Sequence, residues 1–136
     1  MKGQSSVEMV LLIGITLFLF SIIIYTGLTY LNHLKTTLSL KILRHDVNVL
    51  CYYVDRVNTY GDGTTTQTMI YLPEGYNPTN SYIKNNRISF SLSDSVVDCM
   101  TSVPVVGNPP DTSGKHMAYI TKKDGKVSIT FDREIE

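Results

Sequence analysis

From Met9 to Leu34 the chain carries no charged side chain, and Leu, Ile, Val and Phe dominate the stretch. As an α-helix these roughly 26 residues extend about 39 Å, beyond the roughly 30 Å hydrocarbon core of a bilayer. The run is long enough to span. Its few polar members, Thr16, Ser21, Thr26 and Thr29, can return hydrogen bonds to helix carbonyls and so tolerate lipid. Beyond Leu34 the pattern changes. Leu40, Leu43, Val47, Leu50, Val54 and Val57 fall at three- and four-residue steps on one face, and Lys41, Arg44, Asp46, Asp55 and Arg56 mostly occupy the other. This spacing predicts that the helix continues as an amphipathic element lying on a sheet, and that Tyr60 to Gly63 end it.

The rest alternates with the two-residue period of half-buried strands. Ile88, Phe90 and Leu92 interleave with Ser89, Ser91 and Ser93; Val127, Ile129 and Phe131 interleave with Ser128, Thr130 and Asp132. Asp124-Gly125 predicts a tight hairpin turn between Met117–Thr121 and the Val127 strand, and Asn85-Asn86 predicts another between Ser81–Lys84 and Arg87–Ser93. A further strand is expected from Thr66 to Leu72, stopped by Pro73. Two segments rich in Gly, Pro and Asn, Glu74 to Asn80 and Thr101 to Gly114, are expected as exposed loops. The fold class is α+β: a long N-terminal hydrophobic helix whose second half packs on a small antiparallel sheet of four or five strands. Residues 4–35 form the hydrophobic helix and residues 36–136 the ectodomain, with the amphipathic helix over 36–60 and the sheet region over 64–136.

The leader adds to this picture. Lys2 and Gly3 precede Gln4, Ser6, Glu8 and Leu12, which together resemble the Q-x-S-x-E-x-x-x-L pattern of archaeal class III signal peptides on type IV pilin-like proteins. The resemblance implies a leader of residues 1–3, cleaved between Gly3 and Gln4 by a prepilin peptidase, with the helix retained on the mature protein. It also implies that the Glu8 carboxylate pairs with the amine of Gln4 in an adjacent subunit. Independently of family, Ser5 to Glu8 form an S-x-x-E sequence that could cap a helix start, and Glu8 suits the positive end of a helix dipole. An ordinary secretory signal would end in a small-residue site, and the chain has one alanine, Ala118.

Two cysteines, Cys51 and Cys99, are an even pair that can close a disulfide in an ectodomain, across a loop of roughly 47 residues and with about 4 kcal/mol of stabilisation on the chain-entropy model. Two buried free thiols would fit the same positions. Twelve acidic and twelve basic side chains balance, so no basic field points to nucleic acid. His33, His45 and His116 are scattered and match no metal or nucleophile motif, and Gly107 to Lys115 fails the spacing of a phosphate loop. No enzyme activity, cofactor or metal is expected. The reading is a major or minor pilin, held first as a single-span precursor with its C-terminal domain outside. Its partners would be the lipid bilayer, prepilin peptidase, an assembly ATPase, a platform membrane protein and other pilin subunits, with adhesion as a possible task of the loops. The alternative is a single-pass anchored ectodomain that binds a partner or ligand without polymerising.

Overall fold

The computed structural model describes residues 2–132, and side chains from Ser6 onward. The chain divides into two compact units, Met1–Thr37 and Leu38–Glu136. One helix, α1 (Lys2–Tyr60), supplies the whole described part of the first unit and the opening of the second. Five strands follow: β1 (Thr65–Leu72), β2 (Tyr76–Leu92), β3 (Ser95–Gly107), β4 (Gly114–Lys123) and β5 (Lys126–Phe131). They form one sheet in the order β1-β4-β5-β3-β2. The ladders are antiparallel apart from a short parallel one, in which Val105 to Gly107 face Val127 to Ile129. The latest strand in chain order thus occupies the middle of the sheet.

In the second unit the helical stripe is buried as its spacing predicts. Leu43, Val47, Leu50, Val54 and Val57 are at most 1% exposed and share one core with Ile70, Leu72, Ile88, Phe90, Ile120, Val127 and Ile129. Each such side chain contributes about 1.5–3 kcal/mol of apolar burial, so this stripe fixes the helix on the sheet. The helix stops where glycine allows it to. Gly61 and Gly63 have φ of 98° and 87°, in the left-handed region that favours glycine.

The Asp124-Gly125 turn forms as its sequence predicts, with φ of 53° and 73° joining β4 to β5. The Asn85 turn is subtler, because β2 runs through it unbroken. A straight strand would hold Tyr76 and Phe90 roughly 46 Å apart, yet their rings meet edge to face at 5.9 Å. Ser81 Oγ accepts from Ser91 N at 3.0 Å, and the Gly75 carbonyl accepts from Ser93 N at 3.0 Å. The strand therefore doubles back, with Asn85 at φ 56°. Ser89 and Ser91, expected on a wet face, are consequently buried at 1% and 2% exposure, since the returning arm lies against them.

Both expected loops are shorter than the composition suggested. β2 begins at Tyr76, and β3 continues through Pro104 to Gly107, leaving Asn108 to Ser113 as the connection. Pro104 is accommodated at a bulge. The register with β2 slips between Asn85 and Arg87, so that Asn86 stands opposite Thr101 to Pro104 and donates from Nδ2 to the Thr101 carbonyl at 3.2 Å. Gly107 has a steric reason. A Cβ there would stand 2.5 Å from the Ile129 carbonyl oxygen in the parallel ladder.

Candidate functional site

In the first unit, every residue from Ser6 to Thr37 is exposed. The large apolar side chains between Val7 and Leu34 are 44–73% exposed, and none of the described residues covers them. The serine and threonine hydroxyls within the apolar run are already satisfied within the helix. Thr16 Oγ1 donates to the Leu12 carbonyl at 3.0 Å, Ser21 Oγ to Phe18 at 2.7 Å, Thr26 Oγ1 to Ile22 at 3.0 Å and Thr29 Oγ1 to Tyr25 at 2.9 Å. Such back-bonding satisfies these four hydroxyls without water, as an apolar surrounding requires. Among the described residues this is the one helix long and apolar enough to cross a membrane, and it lies near the N-terminus.

Of the residues in the Q-x-S-x-E-x-x-x-L pattern, Ser6, Glu8 and Leu12 lie on this exposed helical surface. The side chains of Lys2, Gly3, Gln4 and Ser5 lie outside those described, so the pairing expected of Gln4 does too. The backbone is helical from Lys2. Ser5 therefore sits inside the helix instead of at its start, and the Ser5–Glu8 capping bonds, which need the Ser5 side chain, lie outside the side chains described.

In the second unit Cys51 and Cys99 are joined by a disulfide across 48 positions, linking α1 to β3. Two carboxylates expected on the solvent face make further ties. Asp46 Oδ2 accepts from Tyr71 N of β1 at 2.7 Å. Asp55 Oδ1 accepts from Ser102 N at 2.8 Å and Ser102 Oγ at 2.6 Å, satisfying the backbone N–H that the β3 bulge leaves without a strand partner. Burial pushes the Asp46 carboxyl above its ordinary value of 3.8, against the opposing pull of the Tyr71 N–H and the His45 charge. Only the tertiary arrangement reveals these two roles. The sequence signal was no more than an acidic residue beside the apolar stripe.

The remaining polar groups are engaged structurally. His116 is buried, with Nε2 2.9 Å from the Thr112 carbonyl oxygen and Nδ1 3.3 Å from that of Asp132. Both ring nitrogens are thus occupied by backbone. His33 and His45 are exposed on the helix. Arg56 lies between Tyr52 and Tyr60, its guanidinium carbon 6.0 and 5.8 Å from their ring centroids, one helical turn to either side. Among the described residues, no three His, Cys, Asp or Glu side chains come together as a metal-binding group. Comparison of the chain with protein-family models, with curated proteins and with solved structures finds no match.

Proposed function

We propose that this chain is a structural subunit of an archaeal type IV-like pilus. It is made as a membrane precursor, cleaved before Gln4 by a prepilin peptidase and assembled through its N-terminal helix by an ATPase and a platform membrane protein. The architecture, a helix with the length and composition of a single membrane span joined to a small α+β domain, is pilin-like in general and consistent with a single-pass membrane protein. The observation that carries the proposal is that one unbroken helix is apolar and uncovered in its first half and the core of a disulfide-linked domain in its second. That first half must be covered by lipid or by other helices. In the proposed cycle it exchanges one for the other, so apolar burial is kept through assembly.

Glu8 is the one acidic group in the first unit. Buried among neighbouring helices it would need a cationic partner, which the amine of Gln4 on the next subunit would supply. Register along the filament then follows from one ion pair in an otherwise apolar core.

The N-terminal mass of the protein from native membranes and from sheared surface filaments tests this reading. A chain beginning at Gln4, present in the filaments, is the expected result. A chain beginning at Met1 and confined to membranes would instead support an anchored ectodomain that does not polymerise. Glu8→Gln sharpens the distinction: a pilus subunit should lose incorporation into filaments while remaining in the membrane, and an anchored domain should be unaffected.

A further inference from the structure

The two edges of the sheet are unlike. On the β2 side, Pro78 lacks an N–H, the chain doubles back at Asn85, and the register slips at Asn86. Devices of this kind stop a sheet from growing by strand addition. The β1 side has none of them along most of its length. Thr65, Thr66, Gln67, Thr68, Met69, Ile70, Tyr71 and Leu72 include no charge and no proline, and all eight are in regular register with β4.

The direction of each β1 backbone group can be read from two hydrogen bonds. The Thr64 carbonyl accepts from Lys122 N at 3.0 Å, at the start of the β4 ladder, whereas Tyr71 N donates away from β4, to Asp46. Antiparallel strands alternate. Thr66, Thr68, Ile70 and Leu72 therefore bond to β4, and Thr65, Gln67, Met69 and Tyr71 turn their N–H and C=O groups outward. Asp46 caps the outward N–H of Tyr71. Among the described residues, none bonds the outward groups of Gln67 or Met69.

We propose that β1 pairs antiparallel with β1 of a second copy of this chain, centred on Gln67. In that register Gln67 lies opposite the partner's Gln67, and Thr65 opposite the partner's Met69, so each outward N–H meets an outward carbonyl. The Asp46-capped Tyr71 falls outside the three central pairs. The strand is compatible with itself because it brings no charge against its own image. Met69, 57% exposed, gains a neighbour at Thr65 of the other copy, and the two Gln67 amides can bond each other. The backbone match is open to any extended strand; what favours the second copy is that the uncharged sequence sets Gln67 amide against Gln67 amide on the two-fold axis and Thr65 against Met69 on either side. The pairing does not depend on the filament reading, since it involves only the folded second unit.

The test uses full-length protein in native membranes under mild oxidation. A hydrogen-bonded antiparallel pair holds its Cα atoms about 5.5 Å apart, within the range a disulfide bridges. Gln67→Cys should therefore give a dimer of two copies at a yield at least tenfold above that of Lys126→Cys at the start of β5. Thr65→Cys alone should stay monomeric, and Thr65→Cys mixed with Met69→Cys should cross-link. Adding Gln67→Pro or Gln67→Lys to both mixed chains should abolish that cross-link while leaving the Cys51–Cys99 bridge in place, because the Gln67 N–H is not used in the β4 ladder. Monomeric Gln67→Cys, equal cross-linking by Thr65→Cys alone, a dimer mass other than two copies, or a mixed cross-link that survives both Gln67 substitutions would each overturn the pairing.

Discussion

The two halves of α1 are continuous in backbone and opposite in how they meet their surroundings. Before Leu38 the apolar residues occupy every side of the helix, and all are exposed; after it a single stripe, Leu43, Val47, Leu50, Val54 and Val57, is buried to within 1%, while Tyr52 and Tyr60 on the other side stay exposed. Hydrophobicity alone does not distinguish a surface that needs lipid or other helices from one that needs a sheet. The angular distribution does. A helix apolar all round can exchange one apolar surrounding for another, whereas a stripe is committed to a single complementary face.

The strongest way to break this contrast is to truncate one leucine in each half. Leu50→Ala should cost the folded domain about 2–5 kcal/mol through lost burial and a cavity, and Leu19→Ala less than about 0.5 kcal/mol. Urea unfolding of the full chain in detergent, followed by tyrosine near-ultraviolet dichroism, measures both. Comparable losses at the two positions would refute the division of labour. Replacing both Cys51 and Cys99 with Ser should cost about 2–4 kcal/mol in the same assay without affecting membrane retention. Asp55→Ala should cost about 1 kcal/mol, toward the low end for a lost hydrogen-bond partner because Ser102 is exposed and water can replace the carboxylate. Asp55→Asn, which keeps an acceptor, should recover part of it.

The smallest effect is a pH dependence at Asp46. Because burial raises its carboxyl above 3.8 in the folded domain, the folded state holds this proton more tightly than the unfolded chain does. The contribution of this group is full below that ordinary value, and it is lost as pH rises through the raised one. Asp46→Asn should therefore flatten the corresponding segment of the stability curve, read as urea midpoints between about pH 3 and 6. An unchanged slope would remove Asp46 from the account.

Much of the fold could be read from side-chain periodicity. The buried stripe from Leu43 to Val57, the alternation of Val127 and Ile129, and the Asp124-Gly125 turn each depend on neighbours in sequence, and each is found. Contacts made across the fold were not legible. Asp46 and Asp55 looked like wet-face residues because nothing local announces that a strand N–H will lie opposite them. Ser89 and Ser91 looked exposed because alternation reports one covered face, and their second cover comes from the returning arm of β2. Pro104 looked like a loop marker because a bulge that tolerates proline is defined by its partner strand. Of the functional surface, the exposed apolar helix was legible throughout. The proposed Gln4–Glu8 pairing would depend on a second subunit, which no single chain displays.

The place of β5 also sets an order of events. Lys126 to Phe131 lie between β4 and β3, so until this strand exists the sheet is two separate pieces, one of β1 and β4 and the other of β2 and β3. Neither can bury its inner edge. A chain delivered N-terminus first therefore cannot complete its sheet piece by piece; the sheet stays open at its middle until the strand after the Asp124-Gly125 turn arrives.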